Sequence, residues 1–141
     1  MKYVLDSSVA FKWVVPEVHS AKALQLRGEF RNGVHELLAV DVFPLEVGHA
    51  LTRAERQGRV SATQGWALWL SVMADAPHLS PSIPLMPRAY AISSQMRIGI
   101  YDCLYVALAE REGCEFVTAD DKLIRTLQPQ FPFIVPLASL P

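Results

Sequence analysis

The sequence contains no hydrophobic run long enough to cross a membrane, since no segment approaches the roughly 20 consecutive apolar residues that a bilayer requires. The N-terminus carries Lys2 followed by only a short apolar stretch, so no secretory leader is visible. These two absences favour a cytoplasmic protein that does not associate with membranes.

Cysteine is rare, and positive and negative charges nearly balance. The 2 cysteines, Cys103 and Cys114, flank most of a predicted helix, whose rise of about 1.5 Å per residue holds them too far apart for a disulfide. They also lack the spacing of a metal site. The formal net charge of −1 gives no general indication of nucleic-acid binding.

Apolar residues, in contrast, are abundant. The chain of 141 residues has the length of one domain with one core, and we expect residues 1–141 to form it. Hydrophobic residues make up 51% of the sequence, with a mean hydropathy of +0.20. That composition is compatible with an apolar surface that meets a partner chain, and equally with a core rich in Leu, Ala and Val.

The order of predicted elements alternates between strands and helices. Short apolar segments predict strands at 2–6, 37–40, 116–118 and 134–135, and helical patterns cover about 9–15, 19–30, 43–57, 62–74, 86–97 and 101–112, with a last short helix from about 119. The proline-rich segment 77–87 is typical of a connection, with a short extended piece near 78–80. Strands separated by helices favour an α/β fold with a parallel sheet.

Three carboxylates stand alone in apolar surroundings. Asp6 ends the first predicted strand, Glu46 lies within VFPLEVGHALT, and Asp102 lies within IGIYDCLYVALA. Burying an ionised carboxylate without a partner costs several kcal/mol, so such a group must be protonated, paired or bound to a cation. Asp120 follows another predicted strand, and a parallel sheet would place it on the same edge as Asp6.

Each acid also has a simpler interpretation. Asp is among the preferred N-cap residues, and Asp6, Asp102 and Asp120 all precede predicted helices. Glu46 does not occupy a cap position and could reach solvent from the edge of a helix face. A parallel sheet would place Asp6 and Asp120 on the same edge, which weakens the interpretation that each acid is only a helix cap.

A divalent cation would reconcile several converging carboxylates. Mg²⁺ and Mn²⁺ prefer carboxylate oxygens and water, and such a site needs no histidine, which makes Zn²⁺ the poorer candidate. Two such ions about 4 Å apart can clamp a phosphodiester, one activating water and the other stabilising the leaving oxygen. If Asp6, Glu46, Asp102, Asp120 and the neighbouring Asp121 are set aside for such a site, nine of the 14 acids remain against 13 basic residues. The rest of the surface would then be mildly positive, which permits but does not indicate nucleic-acid binding.

Four segments resemble the acidic motifs of PIN-domain nucleases, namely VLDSSV, PLEVGHAL, YDCLYVALAE and FVTADDKL. Within that family the chain is most similar to VapC-type toxins of bacterial toxin–antitoxin pairs, and the resemblance extends from residue 3 to about residue 136. It implies a compact α/β/α sandwich with a mostly parallel sheet of about five strands. It also implies an endoribonuclease that depends on Mg²⁺ or Mn²⁺.

The resemblance assigns roles to individual residues. The four acidic positions of the family are matched by Asp6, Glu46, Asp102 and Asp120. The first and third would be the main metal ligands, and the other two would complete the site directly or through water. Ser8 and Thr118 match small polar positions beside the acids. Asp121 adjoins the fourth acid, so either of these two neighbours could fill that position.

The resemblance also implies partners and products. Family members generally dimerise and are held inactive by an antitoxin that carries a DNA-binding domain and lays a segment across the toxin. We therefore expect a homodimer, an RNA substrate and a cognate antitoxin. Hydrolysis by metal-bound water does not use the RNA 2′-hydroxyl, so we expect products with 5′-phosphate and 3′-hydroxyl ends.

Two further groups of side chains are candidates for binding. Trp66, Trp69 and Met73 recur at helical spacing in GWALWLSVM, which suits either an ordinary core or a hydrophobic groove for an antitoxin helix. Arg53 and Arg56 share a predicted helix with the second acid and could contact phosphates, although a solvated helix face would have the same pattern.

Two classes of function are compatible with these observations. The first is a metal-dependent endoribonuclease that acts as a toxin. The second is a catalytically idle scaffold module that keeps the fold and uses its apolar surface for protein contacts. All four acidic positions are filled, which favours the enzyme, because an idle module has no need for mutually repelling carboxylates. A receiver-like phosphoryl-transfer domain fits less well, since Lys122 lies in the wrong element for it.

Overall fold

The computed structural model describes residues 1–141, which fold around a five-stranded sheet. Every neighbouring pair of strands is parallel. The strands are β1 (Lys2–Leu5), β2 (Glu36–Val40), β3 (His78–Ser80), β4 (Glu115–Thr118) and β5 (Ile134–Pro136). Their order in the sheet is β3-β2-β1-β4-β5. The predicted α/β fold is confirmed, and the extended piece near residue 79 is the edge strand β3.

Seven helices surround the sheet. They are α1 (Ser7–Val14), α2 (Ser20–Arg31), α3 (Phe43–Arg56), α4 (Ala62–Ala74), α5 (Met86–Met96), α6 (Ile100–Glu112) and α7 (Asp121–Leu127). Two short 3₁₀ turns cover Ile83–Leu85 and Leu137–Ser139. None of the helices combines the length and the apolar character that crossing a bilayer would demand.

Local sequence features explain several helix ends. Pro44 lies in the first turn of α3, where its missing N–H costs nothing. Ser61 and Gln64 form a reciprocal capping box at the start of α4. Gly113 ends α6 with a φ of 63°, a left-handed conformation that glycine adopts without strain.

Two predicted helix starts need correction, and both concern acids. The first helix begins at Ser7 rather than near Val9, because the Asp6 carboxylate accepts a hydrogen bond from the Ser8 backbone N–H and caps it. The sixth helix begins at Ile100, so Asp102 lies within its first turn and is not its N-cap.

The sheet is buried on both faces, which its uninterrupted apolar strands require. Val4 in the central strand β1 pairs in register with Leu38 of β2 and Phe116 of β4, and all three side chains belong to one cluster of 39 buried hydrophobic residues. The helices α1 to α4 contact one another, and α5 contacts α6. Given the strand order, the right-handed crossover rule assigns α1 to α4 to one face of the sheet and α5 to α7 to the other. All five strands run in the same direction. The carboxyl ends of all five strands therefore meet at one edge.

A buried ion pair joins α2 to the end of α4. Arg27 is 7% exposed, and its Nε lies 2.7 Å from an Asp75 carboxylate oxygen. Arg31 binds the same oxygen at 2.6 Å, and this bond is the main reason why the pKa of Asp75 is lowered. Asp75 thus neutralises an arginine that cannot reach water freely.

We expect Asp75→Ala to lower the free energy of unfolding by about 3 kcal/mol, because it leaves a buried guanidinium without its counter-charge. Glu110→Ala is the matched control, since it removes an exposed ion pair with Arg88 at 2.8 Å and should cost less than about 1 kcal/mol. Urea unfolding of both variants measures the difference. Equal losses would show that the burial of Arg27 is not what makes its ion pair important.

Candidate active site

All four predicted acids line one cleft at the carboxyl edge of the sheet. Asp6 directly follows β1, and Asp120 lies two positions beyond β4, the strand beside it. Glu46 is in the first turn of α3 and Asp102 in the first turn of α6. The cleft that they share has a volume of about 860 Å³. The strand order thus brings four distant parts of the chain to one place.

Each of these acids stands at a helix N-terminus. Asp6 caps α1, and Asp120 caps α7 by accepting a hydrogen bond from the Leu123 backbone N–H at 3.1 Å. The partial positive charge at four helix ends offsets some of the repulsion between the carboxylates. For Asp6 and Asp120, capping and cleft lining are therefore two roles of the same side chain.

Asp6 is the most enclosed of the acids, with 6% exposure, and both of its oxygens accept hydrogen bonds. One oxygen, Oδ1, accepts from the Ser8 backbone N–H at 3.1 Å and from the Ser8 hydroxyl at 2.5 Å. The other, Oδ2, accepts from the buried Thr118 hydroxyl at 2.7 Å. Ser8 and Thr118 therefore contact the acid directly.

The two hydroxyls are oriented by the turn that follows β4. Ser8 Oγ accepts the Ala119 backbone N–H at 3.0 Å, and Thr118 Oγ1 accepts the Asp120 backbone N–H at 3.2 Å. Since each oxygen receives a backbone proton, each hydroxyl is free to direct its own proton at Asp6. These paired bonds tie the end of β1 to the end of β4 and fix the Asp6 carboxylate between them.

Burial in the cleft makes ionisation of Asp6, Glu46 and Asp102 less favourable. Burial raises the pKa of Asp6 to about 6, with smaller contributions from the charges of Glu46 and Asp120, while the hydroxyl hydrogen bonds act in the opposite direction. Burial, followed by the charges of Asp6 and Asp120, also raises the pKa of Asp102 to about 6. Burial raises the pKa of Glu46 as well. Burial is the largest cause of each shift, and the charges of neighbouring acids add to it.

Sequence reasoning missed Tyr105, which is buried and contacts Glu46. Its hydroxyl donates a hydrogen bond to Glu46 Oε1 at 2.6 Å, and its ring, 1% exposed, stacks on Phe116. Burial and the neighbouring carboxylate raise the pKa of Tyr105 far above its usual value, so the phenol remains a donor. The available indication was its spacing of three residues from Asp102, which puts both on one side of α6.

We expect Tyr105→Phe to reduce catalysis about 10- to 100-fold while leaving the fold intact. The variant keeps the ring but removes the hydrogen bond that lowers the pKa of Glu46, so Glu46 becomes harder to ionise and less well oriented. Activity should recover in part as the assay pH is raised, which wild type would not show to the same degree. An unchanged pH–rate profile would mean that the phenol does not act through Glu46.

The donor set suits a hard divalent cation. Carboxylate oxygens are the ligands that Mg²⁺ and Mn²⁺ prefer, and Mg²⁺ commonly binds through one or two carboxylates and several waters. No three His, Cys, Asp or Glu side chains lie close enough together to hold an ion directly. The observation that fits a cation is the cleft that four carboxylates share, because a positive charge among them would offset their mutual repulsion.

The two neighbouring acids at the fourth position are in different places. Asp120 lines the cleft, whereas Asp121 is exposed as the first residue of α7 and lies outside the cleft. Of the two, only Asp120 therefore borders the cleft together with the other three acids.

The two predicted phosphate-contacting arginines also differ in position. Arg53 lines the cleft, while Arg56, one turn further along α3, is exposed outside it. His49 and Arg59 line the cleft too, and Arg59 is held by Glu17 at 2.7 Å. His49 and Arg53 follow Glu46 by three and seven residues. This spacing places both side chains on the same side of α3 as Glu46.

The stripe of Trp66, Trp69 and Met73 on α4 is a partly exposed surface. Trp66 is 66% exposed and stacks on Trp69, with 4.9 Å between the ring centroids. Trp69 is half-buried and donates its indole N–H to the Pro44 carbonyl at 2.9 Å. Met73 is half-buried against the core and Leu70 is exposed. The ordinary-core interpretation therefore holds for only part of the stripe.

Comparison with known proteins identifies the family to which this fold and cleft belong. A family model described as the PIN domain matches residues 3–127. The chain belongs to the PIN-domain family. Ribonuclease VapC3 of Pyrobaculum aerophilum is 29% identical over 139 residues, 96% of this chain and 98% of that protein. Ribonuclease VapC1 of Mycobacterium tuberculosis is 33% identical over 106 residues, 73% and 75% of the two chains.

Two solved structures are similar in fold to this PIN domain. The crystal structure of PAE2754 from Pyrobaculum aerophilum has a TM-score of 0.70 at 21% identity, covering 99% of this chain and 94% of that one. VapBC2 from Rickettsia felis, solved bound to a DNA fragment from its promoter, gives a TM-score of 0.62 at 14% identity, with coverages of 96% and 97%. At these identities the likeness concerns the fold. The resemblance to PIN domains of the VapC group is confirmed.

Proposed function

We propose that this PIN domain is an endoribonuclease that depends on a divalent cation. The observation that carries the proposal is the convergence of its acids on one cleft, namely Asp6, Glu46, Asp102 and Asp120. VapC ribonucleases among the relatives support RNA as the substrate class. The reaction would be hydrolysis of a phosphodiester bond.

The acids would act as holders of Mg²⁺ or Mn²⁺. Asp6 and Asp102 are the main candidates, because a cation would most relieve the cost of their ionisation. Glu46 and Asp120 border the same cleft and would complete the site directly or through water. When bound, the ion supplies activated water and neutralises charge at the phosphate.

Uncharged side chains would hold these carboxylates in fixed positions. The Ser8 and Thr118 hydroxyls direct two hydrogen bonds at Asp6, and the Tyr105 hydroxyl directs one at Glu46. Each donor is itself held by backbone bonds or by packing, so the acids lose little freedom when substrate arrives.

Cleavage of RNA in the presence of Mn²⁺ and its absence in EDTA would test the proposal directly. We expect products with 5′-phosphate and 3′-hydroxyl ends, because attack by water leaves the 2′-hydroxyl unused. Cyclic-phosphate ends, or equal cleavage in EDTA, would contradict the mechanism.

Arg53→Ala should weaken RNA binding about 5- to 10-fold at 0.1 M salt and reduce its salt dependence, since one phosphate contact is lost. Arg56→Ala is the matched control, because it removes the same charge from the same helix outside the cleft. Binding measured at several salt concentrations compares the two. Identical effects of both changes would indicate a general charge effect and no contact inside the cleft.

We further propose that the protein is the toxin of a toxin–antitoxin pair and forms a homodimer. The support is the VapC relatives together with a structural neighbour that is a VapBC complex bound to promoter DNA. The surface formed by Trp66, Trp69 and Met73 would accept an apolar antitoxin segment. Co-expression with the product of the adjacent gene should yield a stable complex in which RNA cleavage is suppressed.

The alternative of an idle scaffold module is tested by the same assay. A scaffold would bind partners without cutting RNA under any metal condition. The presence of Glu46 and Asp102 beside the two capping acids argues against it, because neither of these side chains caps a helix and a module without catalysis has no need of their repulsion.

A further inference from the structure

Two exposed apolar side chains stand immediately beside the acids. Tyr101 precedes Asp102 in α6, and Leu45 precedes Glu46 in α3. Both line the cleft, although Tyr101 is 56% exposed and Leu45 is 75% exposed. Neither belongs to the hydrophobic core, and the proposed hydrolysis does not use them. Both side chains therefore present apolar surface to whatever occupies the cleft.

The part of the cleft formed by α3 beyond Glu46 is polar and partly cationic. His49, Arg53 and Gln57 follow Glu46 along one side of α3 and line the cleft with it. The rise of the helix puts Arg53 roughly 10 Å beyond Glu46 along the axis. Arg53 takes part in none of the ion pairs within the chain, so its charge is available to a phosphate.

An exposed aromatic ring and a free guanidinium in one cleft match the chemistry of a nucleotide chain. Phosphates need the cations, and a base offers a flat face that can stack on an aromatic ring. A base inside a duplex has both faces covered by its neighbours, so only an unpaired base can stack in this way. The cleft is therefore suited to a single-stranded segment.

We propose that Tyr101 is a stacking platform for one unpaired base beside the scissile phosphate. This inference rests on the proposed ribonuclease function and adds a substrate-binding residue to it. The position of Tyr101 next to Asp102 would place the stacked nucleotide close to the phosphate that is cut. The stack would favour loops and single strands over paired regions.

Binding of a labelled single-stranded oligoribonucleotide, followed by fluorescence anisotropy, tests the platform without cleavage. All proteins carry Asp6→Asn so that the RNA stays intact. We expect the added change Tyr101→Ala to weaken binding about 5- to 100-fold and Tyr101→Phe, which keeps the ring, to change it less than about twofold. Tyr90→Ala is the matched control, because Tyr90 is 67% exposed on α5 and does not line the cleft.

An abasic scan locates the base. Oligonucleotides that each lack one base should show one position where the loss weakens binding, and that penalty should disappear in the protein carrying Tyr101→Ala. Equal penalties with and without the ring would overturn the proposal. So would unchanged RNA affinity together with a shift in oligomeric state by light scattering, which would make Tyr101 a subunit contact.

The outcomes also separate this inference from the proposed function. If the protein with Asp6 intact cleaves RNA and Tyr101→Ala has no effect on affinity, the ribonuclease proposal stands and the stacking platform falls. If the protein neither cleaves nor binds RNA under any metal condition, both proposals fail.

Discussion

The Asp6→Asn variant is expected to lose RNA cleavage about 1,000-fold or more in kcat/KM while remaining folded. The asparagine keeps the size of the side chain and its ability to cap α1, but it removes the charge that would hold the cation. A cation contributes several kcal/mol of transition-state stabilisation, which corresponds to about three powers of ten in rate. Steady-state cleavage of a fluorescent RNA in Mn²⁺ measures the loss.

A matched control for this change is Asp121→Asn. Asp121 is exposed at the start of α7, outside the cleft, so its neutralisation should leave cleavage within about twofold of wild type. In chelator at pH 7.5, Asp6→Asn should lower the free energy of unfolding by less than about 2 kcal/mol, because relief from burying a charge offsets the loss of one acceptor for the Ser8 or Thr118 hydroxyl. Residual cleavage above about a tenth of wild type would remove Asp6 from the catalytic site.

The second large effect is on stability as a function of pH. In the folded protein the pKa of Asp6 and of Asp102 is raised from 3.8 to about 6. The folded state therefore binds protons more tightly than the unfolded chain. The resulting stabilisation is complete below about pH 4 and is lost as the pH rises through 6. In chelator, we expect the free energy of unfolding to fall by roughly 2 kcal/mol between pH 5 and pH 8.

A divalent cation should reverse this trend. It binds the ionised carboxylates and stabilises the folded state by about 2.7 kcal/mol at 100 times its dissociation constant. Addition of Mn²⁺ at pH 8 should therefore raise the melting temperature, with little effect at pH 5, where the acids are largely protonated. Differential scanning fluorimetry across pH, with and without Mn²⁺, checks both parts. The same pH profile in a variant carrying Asp6→Asn and Asp102→Asn would show that other groups cause it.

Much of the framework could be predicted from residues close in sequence. The apolar strands, the proline in the first turn of α3 and the capping pair at Ser61 define elements whose bounds agree with the structure to within a few residues. The position of Asp6 and Asp120 on one edge followed from a simple property of parallel sheets, in which neighbouring strands end together.

What could not be predicted depends on contacts between distant segments. The hydrogen bond from Tyr105 to Glu46 spans 59 positions and requires the relative placement of α3 and α6. The difference between Arg53 and Arg56 depends on how α3 is rotated against its neighbours, which the helical pattern of one chain does not fix. The exposure of Trp66 likewise depends on which side of α4 packs inward, and the sequence pattern does not fix that side.

The two early interpretations of the acids turned out to be compatible. Asp6 and Asp120 are N-caps, as their sequence context suggested, and they also line the cleft. Helix N-termini at the carboxyl edge of a parallel sheet suit both roles. Their partial positive charge favours an acidic cap and also reduces the repulsion within a cluster of carboxylates.

Manganese binding in solution tests the central claim most directly, and electron paramagnetic resonance can count free Mn²⁺ in the presence of the protein. If acids from four parts of the chain form one cation site, Asp6→Asn and Asp102→Asn should each weaken Mn²⁺ binding by more than about tenfold, while Asp121→Asn leaves it unchanged. Equal Mn²⁺ affinity in wild type and in all three variants would contradict the account.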